Sequence, residues 1–296
     1  MPSGSLPKQP YIRGIHLPLA NINQDDYGEF RDFLESASGI VLGNNKQYLV
    51  QSRLSRVMSE TGAVSLGDLV GRLRREGAGG ALRQKVIEAM TTNETLWFRD
   101  KHPFDILADR ILPELAGRGQ RSPRIWSAAC STGQEPYSIS ITVQEFLNTR
   151  PGAFNDVQIV ATDISPSVLE EARAGYYDPM VLSRGLPADI KQRYFQRDNA
   201  HWAERWQVRA EIRNRVRFSQ ANLLASYAPL GRFDVIFCRN VLIYFSSESK
   251  TDILTRMAAA LNPNGYLFLG ASESIAQYSD AFEMVRCQPG VVYRKK

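Results

Sequence analysis

The 296-residue chain is poor in the residues on which metal and redox chemistry depend. Cysteine occurs three times, as Cys130, Cys238 and Cys287, and histidine three times, as His16, His102 and His201. An odd cysteine number at spacings that match no zinc knuckle, with scattered histidines, predicts neither a disulfide framework nor a metal centre. Each cysteine reads as a buried free thiol. No apolar run approaches the roughly 20 residues needed to span a bilayer. Met1 to Pro10 has no apolar core of the signal-peptide type. A cytoplasmic protein with no membrane insertion is expected.

Ordinary features dominate what is present. Hydrophobic residues make up 43% and charged residues 23%, as in a globular protein. The formal charge is +5, and two segments carry the excess. Lys46 to Lys85 holds eight basic and three acidic residues, and so does Lys191 to Arg217. Localised basic surface of this kind suits an acidic partner.

The patterning changes along the chain. Residues up to about Asn21 carry four prolines and no sustained period. Tyr27, Phe30, Phe33 and Leu34 then fall at helical spacing, and Gly39 ends the run. Helices are expected over Lys46 to Glu60, after a Ser65 cap, and over Ala81 to Met90. Four short amphipathic helices make a small helical domain, 22–91, followed by a linker, 92–103. From 104 to 296 strands alternate with helices. Arg124 to Ala129, Val157 to Thr162, Phe233 to Cys238 and Gly265 to Leu269 are the candidate strands. Such alternation means a parallel sheet covered by helices. Ser165 is the expected cap of the helix after the second strand, and Phe282 to Arg294 reads as an antiparallel hairpin. A basic β insertion is expected over about 189–218.

Chemistry concentrates at the strand ends, where open α/β sheets bind ligands. The turn Cys130-Ser131-Thr132-Gly133-Gln134-Glu135 has one glycine and lacks the G-x-G-x-x-G fingerprint, so a dinucleotide pyrophosphate is poorly matched. A sulfonium nucleoside has no phosphate and needs fewer glycines. Glu135 suits a cationic amino-acid head group, or else only complements the helix dipole. Asp163 suits a ribose diol, or else caps the next helix. Asn222 offers the donor and acceptor of an adenine edge, or else makes a turn. Arg239-Asn240 follows an apolar strand, a polar tip that points to a site. Thr91 to Arg99 joins the two domains with hydrogen-bonding and aromatic residues.

These segments together resemble one family. TTNETLWFR, SAACSTGQEPYSISI, ATDIS, ANLL, FDVIFCRNVLIYF and GASES, in that order, are similar to the bacterial chemotaxis receptor methyltransferases, the CheR family. The resemblance implies an α/β fold, that of a class I methyltransferase dependent on S-adenosyl-L-methionine: a Rossmann-like, seven-stranded, mostly parallel sheet with a small all-α N-terminal domain and a small antiparallel β insertion. It implies transfer of methyl to glutamate side chains of chemoreceptors, with S-adenosyl-L-homocysteine as product. Carried over by position, cofactor contacts fall on Asn93, Thr95, Arg99, Glu135, Asp163, Asn222, Leu223, Arg239 and Asn240. Arg99 and Tyr244 match residues placed around the transferred methyl. Lys46, Arg53 and Arg56 match a basic helix that docks the cytoplasmic helical domain of the receptor. Some members also grip a receptor C-terminal tether peptide with a glycine-containing loop. Here Arg197 to Arg205 has no glycine, which argues against tether binding. The alternatives are a nucleic-acid methyltransferase and a non-catalytic receptor adaptor. Against the first, Cys238-Arg239-Asn240-Val241 lacks the Asn/Asp-Pro-Pro-aromatic motif, and no nucleic-acid partner is expected.

Overall fold

The computed structural model describes residues 22–77, 79–200 and 202–296. The proline-bearing start, His16 and His201 lie outside the described residues. Helices α1 (Gln24–Ser38), α2 (Gln47–Thr61), α3 (Leu66–Glu76) and α4 (Ala81–Met90) build the N-terminal part. Asn23 opens α1 by accepting the Asp26 N–H, and Gly39, at φ 80°, closes it in the left-handed region. Ser65 caps α3 through the Asp68 N–H. Tyr27, Phe30 and Leu34 lie on one face of α1 and are fully buried against Val50, Leu54, Leu69 and Val86. Burying each such side chain contributes about 1.5–3 kcal/mol, enough to hold helices too short to persist alone.

The linker leads into α5 (His102–Ile106), a π turn (Leu107–Ile111) and α6 (Leu112–Gly117). The sheet then begins with β1 (Arg124–Ala128), α7 (Gln134–Thr149), β2 (Gln158–Asp163) and α8 (Pro166–Ala174). A side excursion follows: β3 (Tyr176–Tyr177), α9 (Pro179–Ser183), α10 (Ala188–Tyr194), β4 (Phe195–Arg197), β5 (Trp206–Val208) and α11 (Ala210–Arg213). The chain returns through β6 (Val216–Gln220), β7 (Phe233–Cys238), α12 (Ser247–Ala260), β8 (Leu261–Leu269), β9 (Phe282–Arg286) and β10 (Val291–Lys295). The main sheet has seven strands in the order β6-β2-β1-β7-β8-β10-β9, and the first five run parallel. Strand alternation decides which face each side chain covers. Val235, Phe237, Tyr266 and Phe268 enter one core, and Ile236, Cys238, Leu267 and Leu269 enter the other.

Two expectations shift. The insertion read as 189–218 is a three-stranded sheet, β3-β5-β4, whose strands run from Tyr176 to Val208. Val216 to Phe218 belongs instead to β6, parallel to β2, with Val216 opposite Ile159. Its Val-Arg-Phe alternation suits either sheet, so pattern alone did not separate them. Cys130 and Cys238 are buried as expected, whereas Cys287 is half-buried in the final hairpin.

The order of strands places a crevice. After β1 the chain steps outward through β2 and β6, then crosses to β7 on the other side of β1. Ala128 lies opposite both Thr162 and Cys238, so the loops after β1, β2 and β7 open at one level. This is the switch point at which such sheets bind ligands.

Candidate active site

The cleft sits at that switch point and is roofed by the linker. Asn93, Thr95, Arg99, Glu135, Asp163, Asn222, Leu223, Arg239, Asn240 and Tyr244 all line it. Ser38, which ends α1, and Ile40 just beyond its Gly39 cap also line the wall and carried no sequence signal. Backbone strain gathers here. Ala129, Ser131 and Asn240 have φ of 58°, 50° and 58°, and the linker residues Phe98, Asp100 and Lys101 have 47°, 66° and 51°. Each non-glycine residue held so costs on the order of 1–3 kcal/mol, which the surrounding packing must offset. Gly133, at φ 95°, starts α7, and a Cβ there would come within 3.0 Å of the Tyr177 hydroxyl.

Asp163 is buried at the end of β2. Its Oδ2 accepts the Ser131 N–H at 2.9 Å and its Oδ1 the Ser165 N–H at 3.0 Å. The expected cap is therefore shared differently: Ser165 makes no side-chain cap, and Asp163 takes its N–H instead. Each carboxylate oxygen keeps a lone pair for a further donor. Burial pushes the Asp163 carboxyl up, and the backbone N–H bonds pull it back only in part.

Glu135 faces two partners. Ser127 Oγ donates to its Oε1 at 2.8 Å, and Arg239 Nη1 donates to Oε2 at 3.0 Å. Burial raises its pKa, against the pull of the Arg239 charge. Arg239 is itself a structural hub. Its Nη2 also donates to the Arg99 carbonyl at 2.8 Å and to Asp100 Oδ2 at 2.7 Å. Its side chain is 1% exposed, so breaking this set by removing one partner would strand a buried charge. Next to it, Glu273 accepts the N–H groups of Asn240 and Leu242 at 2.7 and 2.8 Å and fixes the turn after β7. The glutamate of GASES is thus a turn anchor, which that motif alone did not indicate.

Two of the predicted side chains are held by partners within the chain, Asn222 in the turn that was its alternative reading. Asn222 Nδ2 donates to the Ala37 carbonyl at 2.9 Å, and its Oδ1 accepts the Leu224 N–H at 2.9 Å. It lines the cleft while making a turn and tying α1 to the sheet, so its amide edge is largely committed. Arg53 points away from a partner-binding role. It donates to the Met90 and Thr91 carbonyls at 2.6 and 3.0 Å and to Thr92 Oγ1 at 2.9 Å. Arg56, by contrast, is 88% exposed and pairs with Glu60, and Lys46 is exposed at the start of α2. Arg99 lines the mouth, where its guanidinium reaches the Glu94 carbonyl at 3.4 Å, long for a hydrogen bond. Much of the second basic segment is also consumed internally. Arg193 pairs with Glu145 and Asp189, and Arg205 with Asp198.

The donor set suits a nucleoside that carries cationic groups. Two buried carboxylates with raised pKa values are stabilised by a cation and by hydroxyl donors. Among the lining residues, the Cys130 thiol is pushed well up by burial and is no thiolate nucleophile. A seven-stranded sheet with this cleft at its switch point defines a methyltransferase dependent on S-adenosyl-L-methionine. Residues 93–291 match the family described as "CheR methyltransferase, SAM binding domain", and residues 25–91 match "CheR methyltransferase, all-alpha domain". The chain belongs to the CheR methyltransferase family. It is 56% identical to "Chemotaxis protein methyltransferase 1" of Pseudomonas aeruginosa over 274 residues, 92% of this chain and 98% of that one. It is 50% identical to "Chemotaxis protein methyltransferase" of Vibrio parahaemolyticus over 275 residues, 93% of this chain and 98% of the relative. The protein of that name from Escherichia coli is 40% identical over 248 residues, 83% of each chain.

Proposed function

We propose that the protein esterifies glutamate side chains of chemoreceptors, acting in the cytoplasm on the receptor's helical domain. The observation that carries this reading is a cleft built of two buried carboxylates with a lightly held arginine, Arg99, at its mouth. Asp163 holds the ribose diol. Glu135, steadied by Arg239, holds the amino group of the methionine moiety. Asn93, Thr95, Asn222, Leu223 and Asn240 wall the nucleoside.

When bound, S-adenosyl-L-methionine supplies a sulfonium methyl as electrophile, and S-adenosyl-L-homocysteine is left behind. The chain need not supply a general base, since only about one glutamate in 500 is protonated at pH 7. Its residues instead position and desolvate. Arg99 orients the incoming carboxylate by a charge-assisted hydrogen bond, and Tyr244 donates a second. The strained linker delivers Arg99 because Arg239 grips the carbonyl of that same residue. Held at the mouth, the acceptor can reach the near-attack separation of about 3–3.5 Å.

Lys46 and Arg56 on α2 form the receptor-facing charge, and Arg53 supports the linker. Tether binding is left out of this reading, because loop 197–205 has no glycine. The test is transfer of tritiated methyl to purified receptor fragments followed by alkali. Volatile, base-released methanol supports the ester. Label that survives alkali would mark N-methylation and refute it.

A further inference from the structure

The loop after β7 is anchored at its two ends by different parts of the chain. Its start is held by Glu273, from the loop after β8, which accepts the Asn240 and Leu242 N–H groups. Its end is a 3-10 turn, Leu242–Tyr244, followed by Phe245. That end is held from the helical part. The Val41 N–H donates to the Tyr244 carbonyl at 2.8 Å. The Phe245 ring lies over Gly39 so closely that a Cβ there would overlap it, and the φ of 80° also favours glycine at that position. Two positions earlier, the Ala37 carbonyl accepts from Asn222, in the loop after β6, at 2.9 Å. Turn 37–41 thus bridges the loops after β6 and β7, with Ser38 and Ile40 on the cleft wall between the contacts. Just beyond it, Leu42 is buried in the helical core, and the Tyr27 hydroxyl donates to the Gly43 carbonyl at 2.6 Å. This strap has its root in the helical core and its tip at Tyr244.

We propose that turn 37–41 sets where the Tyr244 hydroxyl meets the acceptor carboxylate, with Gly39 and Val41 as positioning residues. The proposal rests on the reading of Tyr244 as a donor to that carboxylate. Holding the Tyr244 carbonyl fixes the peptide that carries the side chain. A hydrogen bond weakens steeply as its angle closes, and a misplacement of about 1 Å can cost on the order of 100-fold in rate. Because the strap reaches Tyr244 through the backbone, its effect falls on the acceptor's reaction more than on cofactor binding. The helical part then acts in turnover as well as in docking.

The test is methyl transfer to receptor fragments by the full chain, with kcat and KM resolved and S-adenosyl-L-homocysteine affinity followed by calorimetry. Gly39→Ala drives a methyl into the Phe245 ring and strains the turn. A second variant keeps every side chain and replaces the Val41 amide with an ester, through the α-hydroxy acid of valine, so that only the N–H is lost. The ester chain decides where Gly39→Ala fails to fold. Each should lower kcat by roughly five- to 20-fold and change receptor KM and cofactor-product Kd by less than about threefold. Tyr244→Phe should lose about tenfold or more in the wild-type chain, but less than about twofold further in either altered chain. Such overlap shows action through Tyr244. Equal losses from Tyr244→Phe in the wild-type and ester chains would mean additive, merely structural effects and overturn the proposal. An unchanged kcat in the ester chain would overturn it too. Full turnover by Tyr244→Phe in the otherwise wild-type chain is a separate result, which would reject the role of the tyrosine and the proposal with it.

Discussion

Replacing Arg53 by methionine separates two roles for α2. The substitution keeps a long apolar stem and removes three hydrogen bonds, to the Met90 and Thr91 carbonyls and to Thr92 Oγ1. A hydrogen bond to a charged group contributes about 1.5–3 kcal/mol when buried. Arg53 is half-buried, so water replaces part of each, and a net loss of about 1–3 kcal/mol is expected. The released segment leads directly into Asn93 and Thr95 on the cleft wall. Ser131 Oγ still holds the Asn93 carbonyl at 2.8 Å, so the wall loosens without collapsing. About 1 kcal/mol of that disorder must be repaid on binding, which is roughly a fivefold rise in Kd. The assay is titration calorimetry with S-adenosyl-L-homocysteine, paired with urea unfolding. Unchanged cofactor affinity, with only the KM for receptor raised, would show that Arg53 acts outward and refute the argument.

Arg99→Ala should leave the fold nearly unchanged, since its guanidinium makes a single long contact at 3.4 Å, and should lower turnover at least about tenfold; near-normal turnover would remove it from the site. Lys46→Glu with Arg56→Glu should raise the KM for receptor fragments and leave S-adenosyl-L-homocysteine affinity alone, as initial rates and calorimetry will show. Glu135 and Asp163 have pKa values raised from 4.5 and 3.8, so the folded, ligand-free chain binds more protons than the unfolded one in the window above those values. Stability should therefore fall as pH rises through that window, and cofactor, by favouring the ionised carboxylates, should bind more tightly with release of protons. Calorimetry in two buffers of different ionisation enthalpy measures that release, and proton uptake on binding would contradict it.

Helix boundaries in the N-terminal part were legible because local signals coincide. Asn23 and Ser65 cap, Gly39 takes a left-handed φ, and apolar residues recur at helical spacing between them. Four strands, β1, β2, β7 and β8, were legible as a parallel sheet because their apolar runs alternate with helical periods, and β9 and β10 were legible as an antiparallel hairpin. The insertion was misplaced at both ends. β3 has only two residues, too short for any pattern, and Val216 to Phe218 alternates equally well in either sheet. At the site, the order of motifs identified ten lining positions, but not what Arg53 and Asn222 bind.

The sequence by itself determined the helical start and the alternation of strands and helices, because both follow from caps and periods read within a few residues, and its motifs in order carried the resemblance that implied the cleft's ligand. The tertiary structure alone decided how the charges are spent. Arg53 meets partners 37 to 39 positions away, Arg239 meets Asp100 across 139, and Asn222 meets Ala37 across 185. An ion pair depends on separation in space and on loss of water, and both are set by packing. Neighbours along the chain carry no record of either.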